Sequence, residues 1–240
     1  MVINNDCYEK EHKRIAIIPA RSGSKGVKNK NIKTINGKTL IEYSVEAALK
    51  SAAFDTVFVS TDSSEYAAIA KSLGVDCHFL RSKNNSSDTA SSWDAVREVI
   101  NQFEIEGFFY DEIMLLQPTS PLRTSKDITN AIDVMKAKSA YAVESVVEMD
   151  HSPLWSNTLP PDGNMKNFFN KYSNMPRQSL PVYYRENGAI YLIKRFLLEK
   201  TDSAIFSEKC YAYIMPRERS VDIDDEIDFI LASVMLGNNK

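Results

Sequence analysis

Residues 15–20 read Ile15-Ala16-Ile17-Ile18-Pro19-Ala20, and residues 21–33 follow as Arg21-Ser22-Gly23-Ser24-Lys25-Gly26-Val27-Lys28-Asn29-Lys30-Asn31-Ile32-Lys33. The first six form a short apolar run broken by proline near its end, the pattern of a strand buried on both faces of a parallel sheet. The next thirteen hold Arg21, Lys25, Lys28, Lys30 and Lys33 and no acid, in a chain whose formal net charge is −3. Concentrated positive charge on a mildly acidic protein asks for an anion. The two glycines let backbone N–H groups come close to a ligand, and the charges neutralise phosphate oxygens. The stretch is not a Walker A loop, because no Gly-x-x-x-x-Gly-Lys-Ser/Thr occurs in it, which argues against a P-loop kinase or ATPase. A strand-to-loop turn with Arg21, Ser24, Lys25 and Lys30 can still cradle a nucleotide triphosphate; the competing reading is a solvated basic turn.

Working outward, strand-like and helix-like segments alternate. Thr39–Lys50 places Leu40, Ile41, Val45, Ala48 and Leu49 at helical spacing. Thr56–Ser60 is β-branched and aromatic, so a second strand; Ser64–Leu73 is a helix with Gly74 at its C′ position. Val75–Leu80 is expected as a third strand, and Ser91–Phe103 as a helix capped by Ser91 or Ser92. Ile113–Leu116 is a fourth strand, Ser125–Lys138 a helix and Ala140–Val147 a strand. After a break, Ala189–Ile193 and Tyr211–Met215 read as strands and Asp225–Leu236 as a closing helix. This rhythm predicts an α/β fold with a mostly parallel sheet flanked by helices, and ligands beyond the carboxyl ends of its strands. The basic loop, Asp62 and the Gln117–Arg123 loop fall at such ends.

The break covers residues 150–186, where Pro153, Pro160, Pro161, Pro176 and Pro181 interrupt any period. It is too long for a plain connection. Phe168, Phe169, Tyr172, Tyr183 and Tyr184 argue against a disordered linker, since disorder is poor in aromatics. We read it as a subdomain, lid or dimerisation arm within one domain spanning 14–240, with residues 1–13 as a polar N-terminal extension.

The 240 residues, 43% hydrophobic and 25% charged, are ordinary for a soluble globule. Burying roughly 70–75% of its unfolded surface, such a chain needs no disulfide or metal to hold a core. Net acidity argues against nucleic acid and against anionic membranes as partners. No apolar stretch reaches the ~20 residues of a membrane span. Cys7, Cys77 and Cys210 show no redox or metal spacing and fit a reducing cytoplasm.

Near the other end, Ser220-Val221-Asp222-Ile223-Asp224-Asp225-Glu226-Ile227-Asp228 carries five acids within seven residues. Asp222 and Asp224 flank an apolar residue at strand period, so both carboxylates can face one side and, with phosphate oxygens and waters, hold Mg²⁺. The alternative is a charged helix start, which accounts well for Asp225 and Glu226. In Gln117–Arg123, two prolines fix a loop from which Gln117 and Arg123 can reach a ligand, although Arg123 suits a structural salt bridge equally. Arg177 and Arg185 suit a carboxylate by bidentate pairing. Asn187-Gly188 reads as a turn before a strand. His12, His78 and His151 are scattered without metal spacing.

These stretches together resemble the CMP-sialic acid synthetases, or acylneuraminate cytidylyltransferases. The matching pieces are Ile17–Gly26 with Lys30-Asn31, Val59–Asp62, Leu80-Arg81, Ser87–Ser92, Leu115–Thr124, Pro176–Gln178, Asn187–Tyr191 and Asp222–Asp224. They run in family order over about residues 14–236. The resemblance implies a Rossmann-like α/β domain whose arm, the 150–186 segment here, reaches into a partner's active site in a homodimer. It implies a cytoplasmic enzyme joining CTP to a nine-carbon acidic sugar, with CMP-sugar and pyrophosphate as products. Arg21, Ser24, Lys25 and Lys30 would hold the triphosphate, and Asn31, Arg81, Ala90 and Ser92 would surround the cytidine. Gln117, Asn187 and Tyr191 would lie on the sugar side, Arg177 would reach in from the partner, and Asp222 and Asp224 would bind Mg²⁺; Arg21, Lys30 and the two aspartates are the catalytic set.

Two departures stand out. Gly26–Lys30 lacks the proline that many relatives carry. Trp155 stands where some sialic acid enzymes place a lysine, which points toward a less polar nonulosonic acid such as legionaminic acid. Rival readings are a cytidylyltransferase for the eight-carbon acid KDO and an Asp-x-Asp glycosyltransferase; the latter leaves the basic loop unexplained.

Overall fold

The computed structural model describes residues 12–23, 27–87, 89–205 and 209–237. Ser24, Lys25, Gly26 and Asp88, all quoted above, lie outside them, as does most of the N-terminal extension. The central sheet has six strands in the order β4-β1-β5-β7-β6-β8: β1 is Arg14–Pro19, β4 Thr56–Ser60, β5 Glu112–Leu115, β6 Ala142–Glu148, β7 Tyr184–Lys194 and β8 Cys210–Ile214. β4 and β5 pair parallel to β1, and β8 parallel to β6. Only β7 runs against its neighbours, antiparallel to both β5 and β6. A short ribbon of β2 (Thr34–Ile35) and β3 (Lys38–Thr39) stands apart, turned by Asn36-Gly37 with φ of 48° and 84°, the two-residue hairpin geometry that glycine accommodates.

β1 shows why the apolar run folds as it does. Successive side chains of a strand point to opposite faces. Ala16 and Ile18 join the core on one face, with Ile41 and Val45 of α1 (Leu40–Ser51), Tyr66 and Ala70 of α2 (Ser64–Ser72), and Ile128 and Ile132 of α4 (Ser125–Ala137). Ile15 and Ile17 join the other face, with Val96, Val99, Ile100 and Phe103 of α3 (Ser92–Ile105). Both isoleucines are fully buried, and each contributes about 1.5–3 kcal/mol through its burial. The α1, α3 and α4 starts carry complete capping boxes, Thr39 with Glu42, Ser91 with Asp94 and Thr124 with Asp127, which satisfy otherwise orphaned N–H groups.

Two elements close the chain. α5 (Asp202–Ile205) is a single turn, and α6 (Glu226–Gly237) packs Phe229 and Ala232 against Ile35, Leu40, Leu122, Val221 and Ile223. This third cluster lies under the acidic stretch and fixes it to the ribbon and to α1.

One expected strand is corrected. Residues 75–80 pair with β4 only at Asp76, through an isolated bridge to Phe58. Beyond it the backbone turns away, because Phe79 stacks on Phe58 with ring centroids 4.7 Å apart and His78 is held between Asp76 and Glu106. The strap rejoins at Arg81, whose N–H donates to Thr61 O at 2.8 Å. Residues 149–183 are an excursion between the antiparallel neighbours β6 and β7, and most of them are exposed, while the last three residues of the expected 150–186 segment, Tyr184–Glu186, already belong to β7.

Candidate active site

The carboxyl ends of β1, β4 and β5 open into one cleft of about 360 Å³. Its lining joins Arg21, Lys30, Asn31, Arg81, Ala90, Ser92, Gln117 and Asp224. These come from five separate stretches of the chain, and eight of the fourteen site residues expected from sequence meet here. Pro19, Asn85, Ser91, Pro118 and Thr119 complete the lining.

The start of the basic loop is pinned across the sheet. Asp62, after β4, accepts from the Ser22 backbone N–H and from its hydroxyl, each at 2.7 Å. Burial opposes the Asp62 charge, but these two bonds prevail and hold its pKa below the usual value. Asn31 is 6% exposed and donates to Arg21 O at 3.0 Å. Its amide therefore shapes the loop from inside while its surface faces the cleft.

Arg81 lies on the opposite wall, held by Nε to Ser60 Oγ at 3.0 Å and Nη2 to Ser60 O at 2.6 Å. Burial, helped by the charge of Arg21 and opposed by Asp62 and Glu98, lowers its pKa to about 10. The repulsion between the two guanidiniums makes the space beside them favourable for an anion. The neighbouring wall is fixed by Glu98 of α3, which accepts from Ser82 N at 2.7 Å and also receives Asn85 Nδ2.

Lys30 connects the basic loop to the acidic stretch. Its ammonium donates to Ile223 O and lies 3.6 Å from Asp224 Oδ1. Ile223 is fully buried, and its N–H donates to Thr119 O at 2.8 Å. The base of the stretch is held by Arg219, bonded to the fully buried Asp127 at 2.9 and 3.0 Å. At the other end, Asp228 accepts from the N–H groups of Asp224 and Asp225, while Asp225 accepts from those of Ile227 and Asp228. Asp225 and Asp228 are thus capping groups of α6.

The two flanking aspartates differ. Asp224 is 82% exposed at its side chain. Asp222 is half-buried; its Oδ1 is inaccessible and has no hydrogen-bond partner. Burial raises its pKa, the Asp224 charge adds to this, and a Thr119 hydrogen bond opposes it. An orphaned buried carboxylate oxygen beside a second carboxylate fits a hard divalent cation. Among the described residues no group of three or more His, Cys, Asp or Glu side chains is placed to hold a metal. Two carboxylates suit Mg²⁺, which keeps waters and takes phosphate oxygens for its remaining positions.

A β-bulge links this stretch to the sheet. β6 and β7 are in register at Glu144 with Tyr191 and again at Val146 with Glu186, with a shift between. The extra residues form a knuckle at Asn187-Gly188, where the sequence suggested a turn before the strand. Gly188 has φ of 73°, and a Cβ on it would lie 3.0 Å from Gln117 Oε1 and 3.1 Å from Asp222 Oδ2. Only glycine lets the backbone approach both side chains so closely.

The other expected residues take positions outside this lining. Asn187 is 1% exposed: its Oδ1 accepts from Ser145 Oγ at 2.6 Å and Ala189 N at 3.2 Å, and its Nδ2 donates to Ser220 Oγ at 3.0 Å. It braces the bulge rather than facing a ligand. Arg123 is 3% exposed and donates to Gln117 O, Ala189 O and Ser44 Oγ at 3.0, 2.8 and 2.6 Å. It holds the loop that carries Gln117, and burial lowers its pKa to about 10. Tyr191 lies in an adjoining pocket with Ser92 and Gln117. Asp222 lines a cavity on the far side of Asp224, with Arg185 and Arg217. Arg177 sits on the arm, 3.5 Å from Glu148. Trp155 donates its indole N–H to Tyr172 O at 3.1 Å, within the arm. Asn85, Thr119 and Glu98 were not singled out in the sequence. Only Thr119, inside the Gln117–Arg123 loop, had a local signal.

The geometry can be set beside known proteins. A family profile described as Cytidylyltransferase matches residues 15–213. The chain belongs to this family. The N-acylneuraminate cytidylyltransferase of Escherichia coli O18:K1:H7 is 40% identical over 223 residues, 92% of this chain and 51% of that protein. The chain thus spans about half the length of this relative. The CMP-N,N'-diacetyllegionaminic acid synthase of Legionella pneumophila is 31% identical over 235 residues, 94% of this chain and 97% of the relative. Among solved structures, CMP:2-keto-3-deoxy-manno-octonic acid synthetase complexed with CTP superposes with a TM-score of 0.71 over 95% of this chain and 100% of that one, at 17% identity. That likeness concerns the fold, the Rossmann-like arrangement expected of the family. Among the described residues no helix is long and apolar enough to cross a membrane.

Proposed function

We propose that the protein couples CTP to a nonulosonic acid, N-acetylneuraminic acid or a close relative, giving the CMP-sugar and pyrophosphate. The observation that carries this reading is the cleft itself, which joins a basic strand-end loop that includes Arg21, a second arginine and a carboxylate within a lining drawn from five separate stretches. The E. coli relative, named for the same reaction, supports it. Arg21 and Lys30, with Ser24 and Lys25 from the same loop, would bind the triphosphate. Asn31, Arg81, Ala90 and Ser92 would surround the cytidine. The sugar would enter from the side of Gln117 and Tyr191, so that its anomeric hydroxyl faces the α-phosphorus.

The reaction asks for positioning and charge neutralisation more than for a protein nucleophile. Asp222 and Asp224 would hold Mg²⁺, which supplies charge neutralisation on the phosphates. Lys30 lines the cleft and holds the aspartate stretch through Ile223 O and Asp224, so it would couple phosphate binding to order in that stretch. We further propose a cytoplasmic homodimer in which the 150–186 arm brings Arg177 to the partner's sugar site, all within one domain over residues 14–240. A CMP-legionaminic acid product is the second reading, favoured by the nearly end-to-end match to the Legionella protein and by Trp155 in place of a lysine.

The test is Mg²⁺-dependent pyrophosphate release from CTP with a panel of sialic, legionaminic, pseudaminic and KDO acids. Turnover of one nine-carbon acid well above the others is expected. A panel without turnover would end the reading, and undiminished turnover in EDTA would end the metal assignment.

A further inference from the structure

Asp127 is a fully buried carboxylate that receives donors from three parts of the chain. It lies in the first turn of α4, where Thr124 donates to it through its N–H at 2.9 Å and its hydroxyl at 2.7 Å. Tyr213 of β8 donates its hydroxyl at 2.8 Å. Arg219 completes the set with Nη2 at 2.9 Å and Nε at 3.0 Å. Burial opposes the charge, but Arg219, Thr124 and Tyr213 prevail and hold the Asp127 pKa below its usual value. A capping box uses only the bonds to Thr124. The arginine needs another reason.

Position supplies it. Arg219 stands just before the aspartate stretch, and Asp127 just after the loop that carries Gln117. The two segments are clasped at both ends. At one end the Ile223 N–H donates to Thr119 O at 2.8 Å; at the other, Arg219 meets Asp127. Between them Ser220 Oγ receives Asn187 Nδ2 at 3.0 Å, a neutral bond. The Thr119 bond is made by backbone alone and would form with other side chains in place. The ion pair is the charged part of the clasp, and Asp222 lies between its two ends. A buried ion pair adds little net stability, because desolvating two charges offsets their attraction. Removing one partner is costly, since the other is left buried and uncompensated. Orientation therefore accounts for this pair better than stability does.

We infer that Asp127 and Arg219 are a positioning pair, which sets the aspartate stretch against the Gln117–Arg123 loop so that Asp222 and Asp224 are presented together to one cation. The inference rests on the metal-dependent reading above and adds two residues to it. Neither lines the nucleotide cleft, and neither is given a part in bond making. Groups that orient metal-binding side chains control metal affinity by about ten- to a hundredfold without touching the ion.

Mn²⁺ is the probe, with its binding read by electron paramagnetic resonance in the presence of CTP, well below the melting temperature and apart from turnover. Arg219→Gln should weaken Mn²⁺ binding about tenfold or more. It should also lower the melting temperature, because Asp127 stays charged and buried. Arg219→Lys keeps the charge but loses the planar fork, and should hold Mn²⁺ affinity to within about threefold of wild type. The deciding protein combines Arg219→Gln with Asp127→Asn. No buried charge is left in it, so melting should return toward wild type while Mn²⁺ binding stays about fivefold or more weaker. Wild-type Mn²⁺ affinity in Arg219→Gln, or a double variant that recovers melting and affinity together, overturns the inference and leaves a structural brace. If the double variant does not fold, Arg219→Lys decides, and a loss of affinity as large as that of Arg219→Gln overturns it. A wild-type protein that binds no Mn²⁺ beside CTP removes the metal reading and this inference with it; turnover of the acid panel then tells whether the transfer reaction survives.

Discussion

The cleft and the 150–186 arm are held together by opposite means. Around the cleft the pins that join separate elements are long-range: Ser22 to Asp62, Lys30 to Ile223, Arg123 to Ala189, Asn187 to Ser220. Most of these partners are buried and lie beneath a three-sided apolar core. The arm's bonds are local, Asn157 to Asn167 and Phe168, Asn170 to Ser173, Trp155 to Tyr172. It leaves Leu159, Phe169 and Val182 exposed at 54%, 69% and 58%. A site whose geometry must be kept within a fraction of an ångström is built on the first plan. A segment built on the second gains little from its own chain and is suited to being covered by another.

The largest test of the cleft side is Asp224→Asn or Asp222→Asn. Each should lower turnover by about 10²–10³-fold, the scale of losing one electrostatic contact to the transition state. Thermal melting should hardly move, and for Asp222→Asn it should hold or rise, since a buried orphan charge is removed. Near-normal turnover at limiting Mg²⁺ would break the metal role; a collapse in melting temperature would make the acidic stretch a structural brace.

Next is Gly188→Ala. The residue keeps φ of 73°, and the new methyl would lie within 3.1 Å of Asp222 Oδ2. We expect about 1–3 kcal/mol of destabilisation by urea unfolding, from strain at this backbone position. Turnover should fall by roughly tenfold or more, since Gln117 and Asp222 must shift together. Unaltered kinetics would show that the bulge supports the fold without setting the site.

On the arm, Phe169→Asp puts a charge on the most exposed of its large apolar side chains. Light scattering at micromolar concentration should change from dimer to monomer, a weakening of about tenfold or more in association. Turnover should fall with it, in a concentration-dependent way. A variant that stays dimeric at full activity would deny the arm its role and leave the contrast one of stability alone.

These contrasts also explain what could be read in the sequence. β1 and its basic loop were legible because a buried parallel strand is a continuous apolar run and because charge excess is a local property. The Ser91 cap follows a local rule in the same way. Strand direction is not local, and nothing in Ala189–Ile193 says that β7 runs antiparallel. Asn187 and Arg123 look like ligand-binding side chains because they are polar and lie in loops. Their role as braces depends on Ser145, Ser220, Ser44 and Ala189, which only folding brings near. Glu144 was invisible for the same reason: on β6 it is one of two acids, and only folding brings it against Glu186. The strap at 75–81 was read as a strand from composition, yet aromatic stacking of Phe79 and the charges around His78 decide its path.

The smallest effect concerns that strap, which carries Arg81 to the cleft. His78 Nδ1 and Nε2 lie 2.9 Å from Asp76 and Glu106. Burial lowers the histidine's pKa, but the two carboxylates outweigh it and the net shift is upward. A histidine whose folded pKa exceeds its unfolded value of about 6.5 stabilises the fold fully at pH below that value. The contribution is lost as pH rises through the folded pKa. The side chain is 38% exposed, so screening keeps the contribution below about 1 kcal/mol. The difference in melting temperature between wild type and His78→Gln should therefore be largest near pH 5.5 and shrink above pH 6.5, and 0.5 M salt should reduce it. A difference that is constant with pH would mean that the imidazole serves the strap by packing on Phe58, Phe79 and Phe103 alone, in which case the cleft's frame is apolar on this side as well.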